Sequence, residues 1–124
     1  MAAVLKLVGL FRGAFEEELT YDVLLRKRKI GYLVVNCHLP PHLRQCCVHS
    51  VQLDPEWLHK GLGERVYREM ARRARAMGCV LYSSTDRSKF SERLWLKLCR
   101  KGLAERVELP MPGDKSLTVF RFRS

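Results

Sequence analysis

The sequence predicts an α/β (α+β) fold, a mixed central β-sheet built around a β-α-β-α core. Three observations predict it. Segments rich in β-branched and aromatic residues fill the first half of the chain. Between Gly61 and Met77 the apolar spacing changes to every three or four residues, the period of an amphipathic helix. A short apolar segment and a second helical period follow at once, which implies a crossover between parallel strands. At 124 residues the chain has the length of one domain. No internal repeat, low-complexity tract or Gly/Ser linker divides it, so residues 1–124 are expected to form a single domain.

The elements can be justified in order. Val4 to Leu10 carries the weakest strand signal. Thr20 to Lys27 and Ile30 to Cys37 are strands, with the polar Arg28-Lys29 pair as the expected turn between them. Pro40 and Pro41 stop the second of these strands. Gln45 to Leu53 is the next strand, ended by Asp54-Pro55. In the first helix Leu62, Val66, Met70, Ala74 and Met77 form the apolar stripe, and Arg65, Arg68, Arg72, Arg73 and Arg75 occupy the remaining face. Gly78 ends that helix and Cys79 to Tyr82 is a short buried strand. Ser88 to Lys101 is a second helix with Ser91, Leu94, Trp95 and Leu98 on its inner face and Gly102 closing it. Arg106 to Leu109 and Leu117 to Phe122 are strands around a turn from Pro110 to Lys115.

The formal net charge is +10, which implies attraction to an anionic partner: a phosphorylated cofactor, an acidic protein surface or nucleic acid. Five cysteines (Cys37, Cys46, Cys47, Cys79, Cys99) show no C-x-x-C spacing, and the histidines show no H-x-x-x-H pairing. Neither a disulfide framework nor a metal site is expected. Lys6 and Arg12 interrupt the mildly apolar start, and no apolar run reaches the roughly 20 residues that span a bilayer. A cytoplasmic protein without a signal peptide, a monomer or homodimer, is expected.

The segment Val51 to Val66 runs strand, loop, Gly61-Leu62-Gly63, helix. Glycines here let backbone N–H groups approach a ligand, and a helix start adds unpaired N–H groups and a positive dipole end. Such a site suits a diphosphate, with Lys60 and Arg65 adding charge. A lone G-x-G is also what a tight strand-to-helix turn requires. No third glycine follows, so a dinucleotide fingerprint is missing.

The stretch from about Val48 to Leu103 resembles the core of the GNAT acetyltransferases. Their Arg/Gln-x-x-Gly-x-Gly/Ala signature corresponds here to Leu58-His59-Lys60-Gly61-Leu62-Gly63. Their later Asn-x-x-Ala-x-x-Leu-Tyr signature corresponds to Ser88, Ser91, Leu94 and Trp95. Leu58, Ser88 and Trp95 depart from it, and Trp95 stands where the family has the tyrosine that protonates the leaving thiolate. An indole N–H donates a hydrogen bond but is no useful acid. The resemblance implies a compact member binding acetyl-CoA through Val51, Gln52, Leu53, His59, Lys60, Gly61, Leu62, Gly63, Glu64, Ser88, Ser91 and Trp95. It also implies direct acetyl transfer to an amine, with His49 as candidate base and Tyr82 as candidate replacement acid.

Between Leu10 and Leu19 there is room for only a short turn, where the family places two helices. The acceptor groove is therefore expected to be open, favouring a protein or other large acceptor. Glu16, Glu17 and Glu18 are the acidic cluster near its expected entrance. Two other readings stand beside this one: a non-catalytic acetyl-CoA-binding module that docks a partner protein, and a basic nucleic-acid-binding protein. The second lacks the aromatic-interleaved basic strands of such modules.

Overall fold

The computed structural model describes residues 3–38, 44–58 and 60–123, without the side chains of 110 and 111. The elements are β1 (Val4–Arg12), β2 (Glu16–Leu25), β3 (Arg28–His38), β4 (Gln45–Leu53), a 3-10 turn (Pro55–Trp57), α1 (Leu62–Ala76), β5 (Val80–Ser83), α2 (Lys89–Arg100), β6 (Ala104–Met111) and β7 (Lys115–Phe122). They form one sheet in the order β1-β2-β3-β4-β5-β7-β6. Only β4 and β5 run parallel; every other neighbour pair is antiparallel. The expected mixed sheet with its β-α-β-α core is what forms. Pro40 and Pro41 lie outside the described residues, and β3 ends at His38.

Alternation decides the faces. Tyr21, Val23, Leu33, Val35, Cys37, Cys46, Val48 and Leu81 are buried beneath the helices. Their neighbours Asp22, Tyr32, Val34, Asn36, Cys47 and Tyr82 are only half-buried on the opposite face. Both helices cover the first face, and Tyr67 of α1 meets Trp95 of α2 there at 5.2 Å between ring centroids. No helix separates β1 from β2. Gly13 to Phe15 make the turn, closed by a 2.8 Å bond from Gly13 N–H to the Glu16 carbonyl. The opposite face is accordingly uncovered, as the short Leu10–Leu19 interval implied.

Three placements differ from the sequence expectation. The β2–β3 hairpin turns at Arg26 and Lys27, with φ of 52° and 68°, while Arg28 and Lys29 pair with Leu25 and Leu24. Such a turn favours Asn or Gly, so Arg-Lys carries no signal for it. Pro110 pairs with Ser116 inside β6 rather than opening the last turn, which is narrowed to residues between Met111 and Lys115. Arg73 does not share the outer face of α1. It donates to the Leu5 carbonyl at 2.9 Å and lies over the Tyr21 ring at 5.5 Å, tying α1 to β1 and β2.

Glu69 anchors this region by accepting from Arg72 (2.6 Å and 3.0 Å) and from Arg73 (3.1 Å). The Arg72 hydrogen bonds, ahead of the Arg73 contact and against partial burial, pull its carboxyl down to about 2. An unfolded glutamate titrates near ~4.3. A depressed folded value means the contribution is complete above that pH and is lost as pH falls toward about 2. We expect melting temperature to decline between pH 5 and pH 2.5 and the decline to be shallower in Glu69→Gln, measured by circular dichroism. Identical slopes would show that Glu69 carries no linkage.

Candidate active site

The site begins where the parallel pair ends. β4 and β5 stay in register from Gln45↔Val80 to Val48↔Ser83, and then β5 turns away while β4 continues to Leu53. Opposite β3, Val48 faces Val35 and Ser50 faces Val34, so His49 is the extra residue of a β-bulge. The bulge re-aims His49 at the wedge between the diverging strands. That wedge holds a pocket of about 150 Å³ lined by Val48 to Val51, Ser84, Asp86 to Ser88, and Ser91. His49 itself is exposed.

Arg87 builds the far wall and carried no signal in the sequence. Its guanidinium donates to the Ser84 carbonyl at 2.8 Å, the Thr118 carbonyl at 3.0 Å and the Glu92 carboxylate at 2.5 Å. It also lies 4.9 Å from the Phe120 ring centroid. Ser88 caps α2, its hydroxyl accepting the Ser91 N–H at 3.1 Å. The Ser91 hydroxyl in turn lies 3.1 Å from that of Tyr67. Burial pushes the Tyr67 phenol up to about 12, although the Ser91 bond opposes the shift, so it stays neutral at neutral pH.

A second feature lies at the start of α1. Gly61 caps the helix in the left-handed conformation, φ 78°, and a Cβ there would meet nothing within 4 Å. The first helical return bond runs from Arg65 N–H to the Gly61 carbonyl at 3.4 Å. The N–H groups of Leu62, Gly63 and Glu64 precede it and have no carbonyl one turn back inside the helix. A pocket of about 240 Å³ adjoins them, lined by Gly61, Gly63, Glu64, Phe90, Arg93, Leu94 and Lys97. Lys101 bonds the Glu64 carboxylate at 2.7 Å and holds it below the ordinary carboxylate range, against a smaller desolvation effect. The acidic group at this helix start is thus already paired, leaving Arg93 and Lys97 to face an anion.

The sequence-predicted residues divide accordingly. His49, Val51, Ser88 and Ser91 come together around the wedge, and Gly61, Gly63 and Glu64 around the helix start. Gln52 is exposed and accepts the Tyr32 hydroxyl at 3.2 Å, while Leu53 is buried. Lys60 is exposed beside Gly61, Leu62 is in the core, and His59 lies outside the described residues. Trp95 lies apart from both groups. It is fully buried, stacked 6.0 Å from Phe120 and edge-on to Phe122, so it packs the core and faces neither pocket. Its indole nitrogen lies beside Tyr67 without the geometry of a hydrogen bond. Tyr82 is placed elsewhere too, lining a groove with Val80, Glu105 and Arg121. Period two decides this, because Leu81 and Ser83 take the helix-covered face. Gly63 serves packing as well: a Cβ on it would lie 3.1 Å from both Phe90 and Leu94 of α2.

Solved structures share this architecture. An IAA acetyltransferase from Bacillus cereus is 18% identical, with 85% of this chain and 77% of that one covered at a TM-score of 0.58. A putative acyl-CoA N-acyltransferase from Klebsiella pneumoniae is also 18% identical, with 84% and 70% covered at 0.58. A GNAT family acetyltransferase from Elizabethkingia anophelis, solved with acetyl-CoA bound, is 14% identical, with 84% and 72% covered at 0.55. No family model and no curated protein matches the sequence. The fold is that of the GNAT acyl-CoA N-acyltransferases.

The two glycines should fail differently. Gly61→Ala strains a left-handed residue, about 1–2 kcal/mol. Gly63→Val drives branched methyls into Phe90 and Leu94 and should destabilise by about 1–3 kcal/mol. In urea unfolding without ligand, in a Trp57→Phe background that leaves Trp95 as the one tryptophan, fluorescence should report the Gly63 variant's looser helix contact as a shifted native emission. Native spectra identical to the parent would show that α1 and α2 do not depend on that approach.

Proposed function

We propose that this protein is an acetyl-CoA-dependent N-acetyltransferase acting by direct transfer to an amine on a protein or other large acceptor. The observation that carries this reading is the divergence of β4 from β5 after Val48 and Ser83, with the glycine-capped start of α1 beside it. The residues present fit the cosubstrate's chemistry. The N–H groups of Leu62, Gly63 and Glu64, which make no helical return bond among the described residues, suit its phosphates together with Lys60, Arg93 and Lys97. Past Val48 the β5-facing edge of β4 has no strand partner, which leaves backbone groups of Val51 to Leu53 to bind an amide and polarise a carbonyl. When bound, acetyl-CoA supplies an acetyl group activated as a thioester.

In this reading His49 is the base. It lines the wedge, reaches solvent, and accepts the proton that an ammonium acceptor must lose before it can attack. A thiol pKa near ~8.5 makes the thiolate a tolerable leaving group, so a strong acid is helpful rather than mandatory. The Ser91 hydroxyl, backed by Tyr67, is the α2 hydroxyl free of a capping role at this pocket. The uncovered sheet face admits a bulky acceptor. Glu16 and Glu17 are engaged by His38 and Arg12, at 3.4 Å and 3.1 Å, so the acidic cluster is less available to draw a cationic amine.

Acetyl-CoA should raise the melting temperature, as any ligand of the native state does. His49→Ala should keep that shift and lower kcat by roughly 10²–10⁴-fold, the usual contribution of a general base. No shift at millimolar CoA would remove the reading. A retained shift with no turnover for any amine would favour the non-catalytic module, which the burial of Trp95 also suits.

A further inference from the structure

A cavity of about 460 Å³ lies along the C-terminal half of α1, and no residue lining it lines the wedge or the α1 start. Its floor is apolar, made by Ala71, Leu81, Leu103 and Phe122. Its rim carries Arg68, Arg72, Arg75 and Arg123, and among the described residues no carboxylate lines it. Among the described residues Arg68, Arg75 and Arg123 form no ion pair, while Arg72 shares Glu69 with Arg73. Like charges at i,i+4, such as Arg68 and Arg72, weaken a helix slightly unless something anionic lies across them.

We propose that this cavity docks an acidic peptide segment of a partner protein that inserts one large apolar side chain between flanking carboxylates. Charge complementarity names the sign of the partner and the floor names the anchor. The spacing separates a peptide from a small anion. Arg68 and Arg75 are two turns apart, about 10 Å along the axis, too far for one carboxylate or phosphate to reach both. An extended peptide rises about 3.3 Å per residue, so acidic residues three apart match that span. Nucleic acid would use the guanidinium rim but leave the apolar floor without a partner. This docking is independent of acetyl transfer, and it names the anionic surface that the net charge of +10 leaves open.

The test is fluorescence anisotropy at low salt with a fluorescein-labelled peptide, Asp-Glu-Phe-Glu-Asp. The control peptide is Asp-Glu-Ala-Glu-Asp, and a single-stranded oligonucleotide of equal charge is the second control. We expect the Phe peptide to bind at least tenfold more tightly than the Ala peptide. The double variant Arg68→Glu/Arg75→Glu should lose at least tenfold in affinity for it. Charge-matched Lys27→Glu/Lys115→Glu, at an exposed turn and the exposed start of β7 and outside the cavity lining, should stay within about twofold, once screening over a Debye length is allowed for. Ala71→Phe fills the floor without touching charge and should weaken the Phe peptide only. Equal binding of the two peptides, equal losses in both charge variants, or tighter binding of the oligonucleotide would each overturn the proposal. Because no lining residue is shared, acetyl-CoA thermal shifts should survive in every variant, so failure here is separable from failure of the transferase reading.

Discussion

The structure depends on one interrupted interaction, the parallel pairing of β4 with β5. It lasts only from Gln45↔Val80 to Val48↔Ser83. On its far side β5 meets β7 at the single pair Tyr82↔Arg121. A four-residue strand with so little ladder cannot hold the two halves of a sheet by backbone bonds alone. Side chains take over where the ladder ends. The Ser83 hydroxyl accepts the Phe120 N–H at 2.9 Å, and Arg87 bridges the Ser84 and Thr118 carbonyls. The guanidinium thus replaces missing strand hydrogen bonds, and its half-buried position over Phe120 strengthens bonds that would be weak in water. This clamp closes the β5–β7 side of the sheet, and none of its bonds crosses to β4, where the wedge lies.

The same opening explains the aromatic core. Two helices must cover a sheet whose middle is split, so they rely on each other. Tyr67, Trp95 and Phe120 come from α1, α2 and β7 and are all fully buried. Their ring geometry, tilted in one pair and stacked in the other, adds to their burial. Trp95 therefore belongs to the fold. At zero exposure it bridges three elements, and its ring lines neither the wedge nor the helix-start pocket.

Sheet, helices and the glycine cap of α1 were legible because each depends on local pattern: period two, period near 3.6, and a glycine before a helix. What was hidden depends on partners distant in sequence. His49 was visible as a strand residue, but its bulge exists only in the count of β4 against β3. Arg87 reads as a loop charge until Glu92 and Thr118 are placed around it. Arg73 reads as a solvent-facing member of a basic stripe, yet its reach to the Leu5 carbonyl crosses 68 positions. Tyr67 follows Val66 on the helical wheel, and only contact with α2 shows that its ring points inward. The Arg26-Lys27 turn was hidden for another reason: hairpin geometry overrode local preference.

One helix separates two kinds of anion attraction. At the start of α1 the helix-start N–H groups and the positive dipole end favour an anion, with Arg93 and Lys97 lining the same pocket. Toward the other end the dipole is negative, and arginines there are favourable to the helix itself. Arg73 and Arg75 sit in the last turn. The same charges placed in the first turn would oppose the dipole and crowd the helix-start pocket. The helix is about 22 Å long, and about 10 Å along its axis separates Gly61 from Arg68, the nearest arginine of the cavity rim. No residue lines both pockets, so filling one displaces nothing at the other, and screening over a Debye length of about 8 Å limits the coupling of their charges.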